Sequence, residues 1–218
     1  MISMNNAELM RIRIKFSKTE AMRYTGHLDL FRSWERTFRR SRLALAYSQG
    51  FHPQPRLNLA CALPLGFTSE CELIDAWLES VIDLAQINLA IKDALPPGLM
   101  SHEIAQVDLH VPALQTQVSS SIYIITFLDH IPNLFERIER MRLSEHLYRS
   151  RRQKSYDLRP LIEEISPIPE MDHGMQMLRI RLSVRESATG RPEEVLDEMG
   201  IKFEDTYVHR KELFLQNQ

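Results

Sequence analysis

The sequence predicts an α+β fold of two tandem ferredoxin-like units, each βαββαβ with an antiparallel sheet, over residues 1–110 and 111–218. Three observations predict it. Hydrophobic periodicity switches between two and about 3.6 residues in the order strand, helix, strand, strand, helix, strand. Gly- and Pro-rich turns fall at the switches. The same order then runs again after a polar connection around Pro112 to Ser120, without repetition of the sequence itself.

Leu9 to Phe16, LMRIRIKF, alternates apolar and basic residues with period two and reads as a half-buried first strand. Beyond the polar turn Lys18 to Glu20, Leu28, Phe31, Trp34 and Phe38 recur at helical spacing, with Arg32, Arg36, Arg39 and Arg40 on the opposite side. Arg56 to Ala62 and Glu70 to Leu78, parted by Pro64-Leu65-Gly66, read as an antiparallel hairpin. Leu84 to Leu95 is helical and stops at Pro96-Pro97-Gly98, and Leu99 to Val107 closes the first unit as a strand. In the second unit Ile122 to Leu128 is a strand and Pro132 to Leu143 a helix. Arg151 to Ile165 with Met175 to Val184 form a hairpin, Arg191 to Met199 a helix ended by Gly200, and Tyr207 to Leu215 the last strand.

Charge is unevenly placed. Met22 to Leu65 carries seven arginines, no lysine and two acids, and Arg137 to Arg159 has eight basic residues against three acids. The net charge is only -2, so the rest of the chain sums to -12. Two basic islands on an acidic body disfavour indiscriminate polyanion binding and suit a local, oriented contact. The opening MISMNNAELM lacks the pattern of a secretory leader, and no apolar run approaches the ~20 residues that span a bilayer. A cytoplasmic protein with no membrane association is expected. The two cysteines, Cys61 and Cys71, fit neither a CxxC pair nor half of a zinc site. Two thiols are also too few for an iron–sulfur cluster. P-loop, GxGxxG, GxSxG and HExxH patterns are absent, and His110, His130, His146 and His173 show no ligand spacing, so no metal site is expected.

The candidate binding residues cluster early. Arginine used to the exclusion of lysine suits two-pronged recognition of phosphate, which singles out Arg23, Arg32, Arg36, Arg40 and Arg56 as anion or nucleic-acid contacts. The loop Tyr47-Ser48-Gln49-Gly50-Phe51-His52-Pro53-Gln54-Pro55-Arg56 adds rings that stack (Tyr47, Phe51, His52) and an amide that donates and accepts (Gln49). His27, in Thr25-Gly26-His27-Leu28-Asp29, is the candidate for proton transfer. The alternative is that it caps the helix or bonds to Asp29. No catalytic group is assigned beyond it.

Lys15-Phe16, Arg23-Tyr24, Gly26-His27-Leu28-Asp29, the arginine helix, Tyr47 to Phe51, Pro53, Pro55-Arg56 and Leu63 to Gly66 together resemble the bacterial radical-SAM-linked proteins, a domain of unknown function. The resemblance covers about Met10 to Leu78. His52 and Gln54 depart from it, standing where the family pattern has Asn and His, and Gly26 stands where Ser is more frequent. The resemblance implies a radical SAM protein as partner. S-adenosylmethionine and the iron–sulfur cluster would reside on that enzyme, with no cofactor in this chain. The expected function is a non-catalytic accessory module that recognises RNA or another anionic substrate. The alternatives are a metal-independent RNA-processing endonuclease of tandem ferredoxin-like type using His27, and an interaction subunit docking an acidic partner protein.

Overall fold

The computed structural model describes residues 9–151, 154–169, 174–184 and 189–216. Residues 1–8, on which the leader reading rests, and His173 lie outside them. The chain divides into two compact units, Met1–Gln117 and Val118–Gln218, and forms a mixed α+β fold, mostly antiparallel, in which the strand pairs within each unit are antiparallel.

The first unit runs β1 (Met10–Lys18), α1 (His27–Ser41), β2 (Leu57–Leu59), β3 (Phe67–Leu78), α2 (Leu84–Ala94), β4 (Leu99–Val107) and the single turn α3 (Leu114–Gln117). Its sheet is ordered β4-β1-β3-β2. Alternate residues of β1, Met10, Ile12, Ile14 and Phe16, are buried, as period two requires. Leu30, Trp34, Thr37 and Phe38 of α1 are buried with them, and Phe16 meets Trp34 edge-on at 4.9 Å between ring centroids. Asp83 caps α2 by accepting from the backbone N–H groups of Ala85 and Gln86 at 2.9 and 3.2 Å. At the start of β4 the carbonyl of Gly98 (φ 93°) accepts from Thr19 N–H, and a Cβ on this glycine would lie 2.7 Å from Met22 Cγ.

Two expectations are corrected here. Leu28 does not pack: it is 72% exposed, because it precedes Arg32 and Arg36 by one and two turns and shares their outer row. The packing position belongs to Leu30. The basic face of β1 is solvated only in part: Lys15 is exposed, but Arg11 is only 1% exposed. Its guanidinium donates to Asp75 at 2.6 and 3.0 Å and to the carbonyls of Val111 and, at 2.9 Å, Pro112, while Arg13 reaches the other Asp75 oxygen at 2.7 Å. The 111–117 segment therefore covers that part of the face, and the buried charges are paired as burial demands.

The second unit runs β5 (Val118–Phe127), α4 (Leu134–Leu143), β6 (Tyr148–Arg151), β7 (Lys154–Asp157), β8 (Ile162–Ile168), β9 (Met177–Ser183), α5 (Pro192–Glu198) and β10 (Thr206–Leu215). Its sheet is ordered β10-β5-β9-β8, around Ile125, Phe127, Ile138, Ile180, Leu182, Val195 and Val208. The predicted continuous strand from Arg151 to Ile165 is corrected. β7 pairs with β6 in a separate hairpin, a 3-10 turn over Arg159–Leu161 breaks the run, and β8 alone joins β9.

Candidate functional site

The arginines predicted to bind an anion separate into two kinds. Arg23 is buried: its Nε donates to the Gly66 carbonyl at 2.9 Å, Gly66 N–H returns a bond to the Arg23 carbonyl at 3.0 Å, and Glu20 lies 3.3 Å from its guanidinium. Arg40 donates from Nε (3.0 Å) and a terminal nitrogen (2.6 Å) to the carbonyl of Ala94, at the C-terminal end of α2, where a cation complements the helix dipole. These two hold turns and helix ends in place. Arg56 lies between: its guanidinium is 4.9 Å from the Trp77 ring centroid, while Arg11 lies 4.8 Å from the same ring.

The outer row of α1 remains open. Arg32 is 65% exposed and pairs with Asp29 at 3.3 Å, an i,i+3 pairing that contributes little at a solvated surface. Arg36 and Arg39 are exposed and form no ion pair among the described residues.

The segment after α1 is a finger. Tyr47 bridges to Pro55, Ser48 N–H donates to the Gln54 carbonyl at 2.8 Å, and Gln54 N–H donates to Ser48 Oγ at 3.0 Å. At its base Ala46 N–H donates to the Trp77 carbonyl at 2.7 Å and Trp77 N–H to that of Arg56 at 3.1 Å, which fixes the finger to β3. Gly50 turns the tip with φ 134°, a conformation other residues rarely adopt. Gln49, Phe51 and His52 are exposed there, Phe51 completely so at 101%, and Tyr47 is 47% exposed.

His27 is the first residue of α1, and Gly26 occupies the capping position without a side-chain bond. Neither expected structural role is found, because Asp29 pairs with Arg32 and His27 Nδ1 is buried with no hydrogen-bond partner among the described residues. His27 lines a cleft of about 310 Å³ with Phe31, residues 57–62 and Gln115. In that run Asn58 Oδ1 is likewise buried and unpartnered among the described residues. Asn58 escapes sequence reasoning, since one amide inside the apolar run Arg56 to Ala62 carries no periodic signal. The half-buried Cys61 also lines the cleft, whereas Cys71 is buried.

Among the described residues no group of three or more His, Cys, Asp or Glu is placed to hold a metal ion. No helix among them is long and apolar enough to cross a membrane.

The chain is similar to a crystal structure of a Cbf5–Nop10–Gar1 complex, with 7% identity and a TM-score of 0.47 over 94% of this chain, and it spans 50% of the matched chain's length. It is also similar to the acetolactate synthase small subunit from Thermotoga maritima, with 9% identity and a TM-score of 0.25 over 96% of this chain and 97% of the other. No curated protein matches it. The family model of an uncharacterised protein conserved in bacteria, DUF2344, matches residues 11–192, and with most of its length so matched the chain belongs to that family.

Proposed function

We propose that the chain is a non-catalytic binding module that recognises RNA, or another anionic substrate, for a separate radical SAM enzyme. The observation that carries the reading is Phe51, a fully exposed aromatic at the tip of a hydrogen-bonded finger. The fold gains nothing from holding a phenyl ring in water, whereas single-stranded bases stack on such rings. Tyr47, Gln49 and His52 supply a second ring, an amide and an imidazole on the same finger, and Arg32 and Arg36 supply cations on the helix that leads into it. Arg36, which has no ion pair among the described residues, favours an anionic ligand.

Both units are read as ferredoxin-like. Each has the order βαββαβ and an antiparallel sheet in which the fourth strand flanks the first and the second flanks the third, the second unit with β6 and β7 inserted. On this proposal the iron–sulfur cluster and S-adenosylmethionine belong to the partner, in keeping with two cysteines being too few to ligate a cluster.

The test is fluorescence anisotropy with labelled single-stranded RNA at several salt concentrations. Wild-type protein should bind with an affinity that falls as salt rises, and Phe51→Ala or the pair Arg32→Ala and Arg36→Ala should weaken it. Unchanged affinity and salt slope in these variants would overturn the reading. Co-expression with the radical SAM protein of the same genome tests the partnership, and the absence of a complex on size exclusion would remove that half of the proposal.

A further inference from the structure

We infer that Arg56, held against the Trp77 ring at the base of the finger, is a clamp for one phosphate group. This rests on the binding-module reading and deepens it, since the phosphate is that of a strand whose bases stack on the finger. The guanidinium groups of Arg11, Arg13 and Arg56 are linked in one chain of contacts through Trp77 and Asp75. Asp75 is the one carboxylate with which any of them pairs among the described residues, so three positive charges meet one negative. Two of the three are satisfied. Arg11 is buried and donates to Asp75 and to the carbonyls of Val111 and Pro112, and Arg13 donates to both Asp75 oxygens at 2.7 and 3.0 Å and to Gln117 Oε1 at 3.4 Å. Arg56 differs. It is half-buried, its guanidinium makes no hydrogen bond or ion pair among the described residues, and its nitrogens are not among the buried atoms left unpartnered, so they face water.

Contact with an aromatic ring uses none of the five N–H donors of a guanidinium. The main chain of Arg56 is fixed as well, its N–H donating to the Ala46 carbonyl at 2.8 Å and its carbonyl accepting from Trp77 N–H at 3.1 Å. An anion therefore meets a fork already in place, whereas binding at the open outer row of α1 must first order a long side chain. Phosphate oxygens match that fork in two-pronged geometry. The surplus positive charge strengthens the attraction, because partly buried charges are screened less than surface ones. Pro55, the residue before Arg56, bridges to Tyr47, whose ring is 47% exposed. A strand that stacks on Tyr47 has a phosphate on either side of the stacked base, and Arg56 stands beside that ring's strand pairing to receive one.

Trp77 makes the clamp measurable. The chain has two tryptophans, and the other, Trp34, is fully buried in the core. Titrating the full chain with inorganic diphosphate, against sodium chloride of matched ionic strength, should give a saturable change in tryptophan emission. Arg56→Ala and Trp77→Phe should abolish the change, with circular dichroism showing retained fold. Lys92→Ala, which removes an exposed cation of α2, should keep it. No saturable change in wild-type protein, or the same change in Arg56→Ala, overturns the clamp. With single-stranded RNA, Arg56→Ala should lower the salt slope by about 0.7, one phosphate's worth. Arg56→Lys should keep the slope and lose affinity several-fold, because an ammonium carries the charge without the fork. If RNA binds but diphosphate leaves the emission of wild-type protein unchanged, the clamp falls and the binding module stands. If diphosphate acts through Arg56 but RNA does not bind, the phosphate site stands and the binding module falls.

Discussion

Phe51 and Arg23 show how differently two residues of one basic segment are used. The phenyl ring of Phe51 touches solvent on all sides, so Phe51→Ala should leave thermal stability within about 0.5 kcal/mol of wild type, as for exposed sites that pack against nothing. On the binding-module reading the same change removes a stacking platform and should weaken RNA binding by about 1–3 kcal/mol. Thermal melts and anisotropy on the same samples check both halves. Arg23 is the reverse case. Its guanidinium satisfies the carbonyl of Gly66 in a buried turn, so truncation should cost stability and leave the salt dependence of binding alone. Residue type does not distinguish the two uses, because an arginine that ties a turn and one that meets a phosphate are the same letter.

Helix α1 and its neighbours show what periodicity makes legible. Met10–Lys18, His27–Ser41 and Leu84–Ala94 are readable because each turns a row of apolar residues to the core, and burial imposes a period of 2 or about 3.6 on them, whereas Leu99–Val107, of which only Leu99 is buried, is marked by the Pro96-Pro97-Gly98 turn before it. The β6–β7 hairpin is not readable, since Tyr148-Arg149-Ser150-Arg151 packs no apolar face against a core and so leaves no pattern. Leu28 sits on the outer row although it is as apolar as Leu30, and Arg11 reads as solvated because its cover, the 111–117 segment, lies a hundred residues away in sequence. The same limit applies to the stripe on α1, where Arg36 and Arg40 differ by one turn. Arg40 caps α2 through Ala94, so Arg40→Ala should destabilise the protein by about 1–3 kcal/mol without changing the salt slope of RNA binding. Arg36→Ala should do the opposite, lowering the slope by about 0.7 for each phosphate that is no longer neutralised. Denaturant melts and salt titrations of the two variants separate the roles.

Across the chain, two carboxylates of the second unit pull stability in opposite directions with pH. Asp157 accepts from His146 at 2.7 Å and from the backbone N–H groups of Leu147 and Arg159 at 2.8 and 3.0 Å, and these bonds, His146 first, hold its carboxyl below the ordinary 3.8. Its stabilisation is therefore fully present above about 3.8 and is lost as pH falls through the lower folded value. Asp157→Asn should melt lower than wild type at neutral pH, by about 1–3 kcal/mol, with the two converging in strong acid. Glu193 behaves inversely. Burial pushes its carboxyl up, and Oε2 has no partner among the described residues, so its ionised form opposes folding above the raised folded pKa. That penalty fades as pH falls from the raised folded value to the ordinary carboxylate range and is gone below it. Glu193→Gln should accordingly melt above wild type at neutral pH, with the advantage shrinking as the solution is acidified. Melting temperature followed against pH for the two variants checks both signs, because a shift of equal sign for both at neutral pH would contradict the opposed environments of Asp157 and Glu193.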